Sequence, residues 1–134
     1  MNSRPVVLIS DDEPLVVSAL SRAARRVGLS FISDTTSEKV LELARTHHPA
    51  VIILDIHQHI DGRDLLARLK RDPETAASKV VILTGVEDQF TRHLCFELGA
   101  EDYEVKPFDM TFIYKVARMA GIDPYAPETP PAAA

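Results

Sequence analysis

The chain holds one cysteine, Cys95, among 134 residues. A lone cysteine can form neither an internal disulfide nor a thiolate metal cage, which fits a reducing compartment. A surplus of basic charge is also missing, since the formal net charge is −5. That balance argues against a nucleic-acid footprint and against non-specific adhesion to DNA or anionic membranes. Long apolar runs are absent too. The first one, residues 6–9, is cut off by Asp11, Asp12 and Glu13 and does not read as a secretory signal. No stretch approaches the roughly 20 apolar residues of a membrane span. These absences point to a soluble, cytoplasmic protein with no membrane partner and no direct nucleic-acid partner.

What is present is an ordinary globular composition, 46% apolar and 26% charged, in a length that suits one domain with a real core. Short β-branched runs alternate with amphipathic stretches. Residues 5–10, 51–55 and 80–84 read as strands buried on both faces, and residues 29–33 and 100–105 as weaker strands. The first helix is expected to start with Asp12 as cap and Pro14 in its first turn, and to stop at Gly28. Val16, Leu20, Ala23 and Val27 share its inner face. A second helix is expected over residues 36–48, with Val40, Leu41 and Ala44 inward. A third, carrying Leu65, Leu66 and Leu69, follows Asp61-Gly62 and ends near Asp72-Pro73. A fourth spans about residues 87–98 with Phe90, Leu94 and Leu98 inward, and a fifth about 109–120 with Phe112 and Val116 inward. Five βα units in a row predict an α/β fold, a single (βα)5 doubly wound parallel sheet. The domain is expected over residues 1–121. Residues 122–134, rich in proline and alanine, read as a flexible tail or a cut linker.

In an open parallel α/β sheet, sites form beyond the carboxyl ends of the strands. Asp11, Asp12 and Glu13 stand there after the first strand and Asp55 after the third. Thr84 and Gly85 end the fourth, and Lys106 and Pro107 follow the fifth. Facing carboxylates repel by about 4 kcal/mol per pair at ~4 Å and an effective dielectric near 20. Such a cluster calls for a cation, and oxygen ligands with room for phosphate point to Mg2+. Lys106 suits an anionic ligand, and Thr84 can donate a hydrogen bond to it. The set suits a phosphoryl group beside Mg2+, with a carboxylate as nucleophile. Taken singly, each residue has a plainer role. Asp12 caps a helix, Thr84 is a strand-end hydroxyl, and Lys106 is a solvated charge. A carboxylate directly after Val51-Ile52-Ile53-Leu54 is harder to explain without a function. What joins these residues is their place at the same end of four separate strands.

Over about residues 6–120 the chain resembles the receiver domains of two-component response regulators. The acidic pair of that family corresponds to Asp11 and Asp12 in VVLISDDE, and its phosphoacceptor to Asp55 in VIILDI. Its switch hydroxyl corresponds to Thr84 in VVILTG. Its lysine and proline correspond to Lys106 and Pro107 in GAEDYEVKPF, and its switch aromatic to Tyr103. The resemblance implies a flavodoxin-like strand order, 2-1-3-4-5. It implies transfer of a phosphoryl group from a sensor histidine kinase or phosphotransfer protein onto Asp55, with Thr84 and Lys106 assisting. It implies Mg2+ held by Asp11, Asp12, Asp55 and the His57 carbonyl. It further implies that Thr84 and Tyr103 shift to repack the face of the fourth helix, fifth strand and fifth helix for a downstream protein. Such a switch modifies and dephosphorylates itself; it is not a metabolic enzyme.

The segment after Asp55 departs from the family. A Met-Pro pair is missing, and Gly62 arrives seven residues past Asp55 where eight is usual. That shortening bears on His57 as a ligand. It motivates an alternative, a degenerate receiver that acts as a phosphorylation-independent interaction module. A Mg2+-dependent phosphatase with an aspartyl nucleophile fits less well, because its second acid would stand where His57 is. His57 and His59 are too few for a zinc site, and Cys95 is expected to pack. No output domain is recognised after residue 120, so a stand-alone receiver and a part of a longer regulator are both open.

Overall fold

The computed structural model describes residues 4–124. Its centre is set by the three most apolar runs. β1 (Val6–Ser10), β3 (Val51–Leu54) and β4 (Lys79–Thr84) lie side by side and are almost wholly buried. β2 (Ser30–Asp34) and β5 (Asp102–Val105) form the edges. The sheet runs β2-β1-β3-β4-β5, with every pair parallel. A parallel strand needs cover on both faces, so central strands must be apolar while edges tolerate polar residues. That is why the edges are weakly marked in the sequence: β2 keeps only Asp34 buried, and β5 only Tyr103.

Successive side chains of a strand point to opposite faces, which builds two cores. Val7, Ile9, Val51, Ile53, Val81 and Leu83 form one with α1 (Pro14–Arg26) and α5 (Met110–Met119). Leu8, Ile52, Leu54, Val80 and Ile82 form the other with α2 (Val40–His47), α3 (Gly62–Arg71) and α4 (Gln89–Glu97). Each Leu or Ile fully buried in these layers stabilises by roughly 1.5–3 kcal/mol relative to exposure. The result is the doubly wound (βα)5 sheet with strand order 2-1-3-4-5 that the sequence and the resemblance implied.

Local differences have identifiable causes. α1 is capped at Glu13 and not at Asp12, with Pro14 at its start, so the Asp12 carboxylate is left out of the helix. α2 begins at Val40, four residues later than expected, because Asp34 holds the preceding turn. Its Oδ1 accepts from the Thr36 N–H (2.9 Å) and its Oδ2 from the Lys39 N–H (2.8 Å). α4 is rotated from the expected phase. Thr91 and Cys95 point inward, while Phe90 is 74% exposed. Asp88 sets that phase, its carboxylate accepting from the Thr91 N–H (3.1 Å) and hydroxyl (2.6 Å). At the end of α5, Ile122 packs against the first core, and its N–H donates to the Ala117 carbonyl (2.9 Å). Most of the expected tail, residues 125–134, lies outside the described residues. Among the described residues no helix is long and apolar enough to cross a membrane.

Candidate functional site

The chain runs outward from β1 to β2 and then crosses back to β3, which opens a crevice beyond the carboxyl ends of the strands. Three residues enter it directly from strand ends, and each stays tied to the sheet by its backbone. The Asp11 N–H donates to the Asp34 carbonyl (3.3 Å), Asp55 to Ser10 (3.0 Å), and Lys106 to Thr84 (2.7 Å). The Lys106–Pro107 peptide is cis.

Lys106 is the shared counter-charge. Its Nζ lies 2.8 Å from Asp11 Oδ2, 2.9 Å from Glu13 Oε1 and 3.0 Å from Asp55 Oδ2. Asp12 completes a group of acids whose ligand oxygens lie within 4.8 Å of one another. Asp11 and Asp55 are buried, whereas Asp12 and Glu13 face solvent. Burial pushes the Asp11 carboxyl above its ordinary range, and the bonds from Lys106 and the Glu13 N–H only partly oppose it. Burial works against the Lys106 charge as well, but its bonds to Asp11, Glu13 and Asp55 outweigh that and hold its pKa above the ordinary lysine value. Such charge-assisted bonds are the strong kind. One ammonium among four carboxylates leaves a negative excess on hard oxygen donors. That donor set fits a divalent cation of the Mg2+ or Ca2+ type and not a soft metal.

The other expected residues fall into two places. The His57 side chain is exposed, and its N–H donates to Asp55 Oδ1 (3.3 Å), so His57 touches the site through its backbone. His59 faces Glu38 at 3.6 Å, away from the acids. Thr84 is fully buried, and its Oγ1 accepts from the Val86 N–H (3.4 Å). Tyr103 is 3% exposed, and its hydroxyl donates to the Val86 carbonyl (2.6 Å). Thr84 and Tyr103 therefore meet at one residue, Val86, one at its N–H and the other at its carbonyl, beside the acidic cluster and not in it. Arg92 sits over the Tyr103 ring at 5.6 Å and donates to the Tyr103 carbonyl (3.2 Å).

Sequence reasoning did not foresee the part that three residues play in shaping the site. Glu13 was visible beside the acidic pair, but nothing marked it as a Lys106 partner. Gln58 reads as a loop residue, and its amide Nε2 donates to the Asp55 carbonyl (2.9 Å) and to Ser10 Oγ (2.9 Å). No local pattern announces those long-range bonds. Gly62 is needed because a Cβ there would lie 2.2 Å from the Asp55 carbonyl oxygen.

Comparison with known proteins agrees with this geometry. Residues 7–118 match the family model described as the response regulator receiver domain. The alkaline phosphatase synthesis transcriptional regulatory protein PhoP of Bacillus subtilis is 32% identical over 103 residues, covering 76% of this chain and 42% of that protein. The transcriptional activator protein IrlR of Burkholderia pseudomallei is 39% identical over 119 residues, covering 87% of this chain and 49% of that protein. The chain thus spans less than half the length of these curated relatives. A crystal structure of a response regulator from Chloroflexus aurantiacus superposes with a TM-score of 0.81 at 28% identity, covering 89% of this chain and 99% of that one.

Proposed function

The chain belongs to the response regulator receiver domain family, and from that premise we propose that Asp55 accepts a phosphoryl group from a histidine kinase or phosphotransfer protein in the cytoplasm. The observation that carries this reading is the 3.0 Å contact between Asp55 Oδ2 and Lys106 Nζ inside a crevice of acids. Asp11, Asp12 and Asp55 would hold Mg2+, with the His57 carbonyl as a further oxygen donor. When bound, Mg2+ supplies the positive charge that the developing phosphoryl oxygens need. The chain's own residues do the rest. A carboxylate oxygen of Asp55 forms the new O–P bond as the P–N bond of a phosphohistidine breaks, and the leaving electron pair stays on the imidazole. Lys106 exchanges its bond to the Asp55 carboxylate for one to a phosphoryl oxygen. Gly85 carries no side chain to crowd the group, and the space a Cβ would occupy there is open, with no atom within 4 Å outside its chain neighbours. Water later hydrolyses the acyl phosphate, so the domain resets itself without turning over a metabolite.

The response runs through Val86. Once Thr84 turns its hydroxyl to the phosphoryl group, the Val86 N–H loses its acceptor, and Val86 keeps the bond from the Tyr103 hydroxyl to its carbonyl. That repacks the α4-β5-α5 face, which a downstream protein or an output domain reads. A shift from 1:99 to 99:1 requires about 5.5 kcal/mol of differential stabilisation, within reach of several charge-assisted bonds at Thr84 and Lys106. The test is to incubate the chain with Mg2+ and a small phosphodonor and weigh the intact product beside Asp55→Asn. Labelling of the wild type alone is expected. Equal labelling of both would remove Asp55 as the acceptor.

One observation favours a second reading, a phosphorylation-independent interaction module. Tyr103 already lies inside in the unmodified chain, with its hydroxyl bonded. On this reading a partner recognises the α4-β5-α5 face in that state, and phosphorylation leaves the face unchanged. Backbone amide shifts along α4, β5 and α5 that stay fixed while Asp55 is labelled would select this reading.

A further inference from the structure

The loop after Asp55 is one residue shorter than is usual in the family and lacks its Met-Pro pair, yet it is held at defined points. The Gly62 N–H donates to the Ile56 carbonyl (2.9 Å), and so does the Gln58 N–H (3.2 Å). On its outer side the Ile60 N–H donates to the buried Ser37 Oγ (2.8 Å). Toward the sheet the Gln58 side chain takes over. Its Nε2 reaches the Asp55 carbonyl (2.9 Å) and Ser10 Oγ (2.9 Å), with the Ser10 carbonyl at 3.4 Å. The Ser10 hydroxyl also lies 3.2 Å from Gln58 Oε1.

Each contact matters for the placement of the acids. Ser10 is the last residue of β1 and immediately precedes Asp11, while Asp55 immediately follows β3. One amide therefore joins the backbone that carries Asp11 to the backbone that carries Asp55. The Asp55 peptide is fixed on both sides. Its N–H is on the Ser10 carbonyl, and its carbonyl lies between the Gln58 amide and the bare Cα of Gly62. A carbonyl bonded this way cannot rotate without breaking a bond or striking Gly62, so the carboxylate that springs from it keeps its direction.

We infer that Gln58 is a positioning residue that sets the separation of Asp11 and Asp55 by bridging Ser10 and the Asp55 carbonyl, in place of the missing Met-Pro segment. The inference rests on the phosphoacceptor reading for its consequence. Its geometric part stands on the bonds alone. Gln58 touches neither phosphoryl group nor metal in this scheme; it acts through the two acids.

The experiment uses the full chain with Gln58→Met, which keeps side-chain length and removes the bridge, and the milder Ser10→Ala. Three readouts are taken at one temperature: hydrogen exchange at the Asp55 and Gly62 amides, Mg2+ affinity by calorimetry, and the labelling rate with a small phosphodonor. Gln58→Met is expected to speed exchange at both amides about tenfold while exchange at Leu8 and Ile82 in the core is unchanged. Mg2+ affinity should weaken about fivefold and labelling slow about tenfold. Ser10→Ala should move the same readouts by less, and the double variant by little more than Gln58→Met alone, as residues sharing one bond are not additive. Wild-type exchange and Mg2+ affinity in Gln58→Met would overturn the inference. A uniform rise in exchange across the core would overturn it as well, since that marks a general packing role. If instead the wild type takes no label, or no more than Asp55→Asn, the phosphoacceptor reading fails, and the exchange at Asp55 and Gly62 still decides whether Gln58 positions them.

Discussion

At the acidic end of the crevice, Asp11, Asp55 and Lys106 each stand one residue beyond a strand, and the backbone N–H of each continues the bonding of the sheet. At the other end, Thr84 and Tyr103 meet through a single residue, Val86, which belongs to no strand or helix. The first arrangement fixes charges that repel one another, and it needs the stiffness of three strands to do so. The second rests on two single hydrogen bonds, one of them long at 3.4 Å. On the proposed reading, chemistry is thus placed where the chain cannot relax, and response where it can. Local stability is not uniform in a folded protein, and responding elements are drawn from its weaker parts.

The largest test of that comparison removes the counter-charge. Lys106→Met leaves Asp11 and Asp55 buried without their ammonium. Breaking a buried pair in this way costs about 3 kcal/mol or more. Chemical unfolding in the presence of a chelator should show the loss, and added Mg2+ should restore part of it by supplying positive charge to the same oxygens. Stability equal to the wild type would mean that the acidic end is not under electrostatic stress, and the contrast between the two ends would fail. Gly62→Ala comes next. Its Cβ would meet the Asp55 carbonyl oxygen at 2.2 Å, and overpacking against backbone costs about 2 kcal/mol. Labelling of Asp55 should fall along with stability, because the peptide that must shift is the one that carries the proposed nucleophile.

Asp34 sharpens the comparison from the side, since it braces the β2-α2 turn behind the acids. Burial alone would raise its pKa, but the bonds from Thr36 and from the Lys39 N–H outweigh that and hold it below the ordinary value of 3.8. A carboxyl lowered on folding adds stability that is fully present above the ordinary value and is lost as pH falls through the lower folded one. Asp34→Ala should therefore cost about 2 kcal/mol at neutral pH, through the two backbone donors it leaves unpaired. It should also flatten the acid limb of the stability curve below pH 3.8. Unfolding midpoints at neutral pH and at ~3 measure both effects. Unchanged acid sensitivity in the variant would assign the turn's stability elsewhere.

Sequence and structure agree where one physical cause dominates. β1, β3 and β4 are legible because a doubly covered parallel strand has no room for polar residues, and the acids are legible because they terminate those strands. The phase of α4 was not legible. Phe90, Leu94 and Leu98 recur at helical spacing, but the Asp88 cap draws Thr91 inward, and Phe90 ends 74% exposed. An apolar stripe does not reveal whether it meets the protein's own core or an open face. The start of α1 was misjudged for a related reason. Both Asp12 and Glu13 precede Pro14, and only the geometry leaves Glu13 in the cap position and Asp12 in the crevice. Gln58 was illegible for a third reason. Its partners are Ser10, the last residue of β1, and Asp55, just after β3, and only the closed sheet brings them within reach of one amide.

The smallest predicted change in stability falls at the responding end. Tyr103→Phe keeps the buried ring and its place under Arg92 and removes only the hydroxyl bond to the Val86 carbonyl. The loss should be about 1 kcal/mol, the usual net worth of one such bond. Asp55 should still be labelled at the wild-type rate, because no atom of Tyr103 contacts the acids or Lys106 within the bonds described. What should change is the Val86 segment, in which Val86 then keeps its N–H bond to Thr84 but loses the one to its carbonyl. Hydrogen exchange at residues 85–88 should quicken, and phosphorylation, by withdrawing Thr84, should quicken it further. If labelling slows in Tyr103→Phe to the degree that exchange rises, the two ends are one mechanical unit. If exchange at residues 85–88 is untouched, Val86 is not the joint between them, and the response must leave Thr84 by another route.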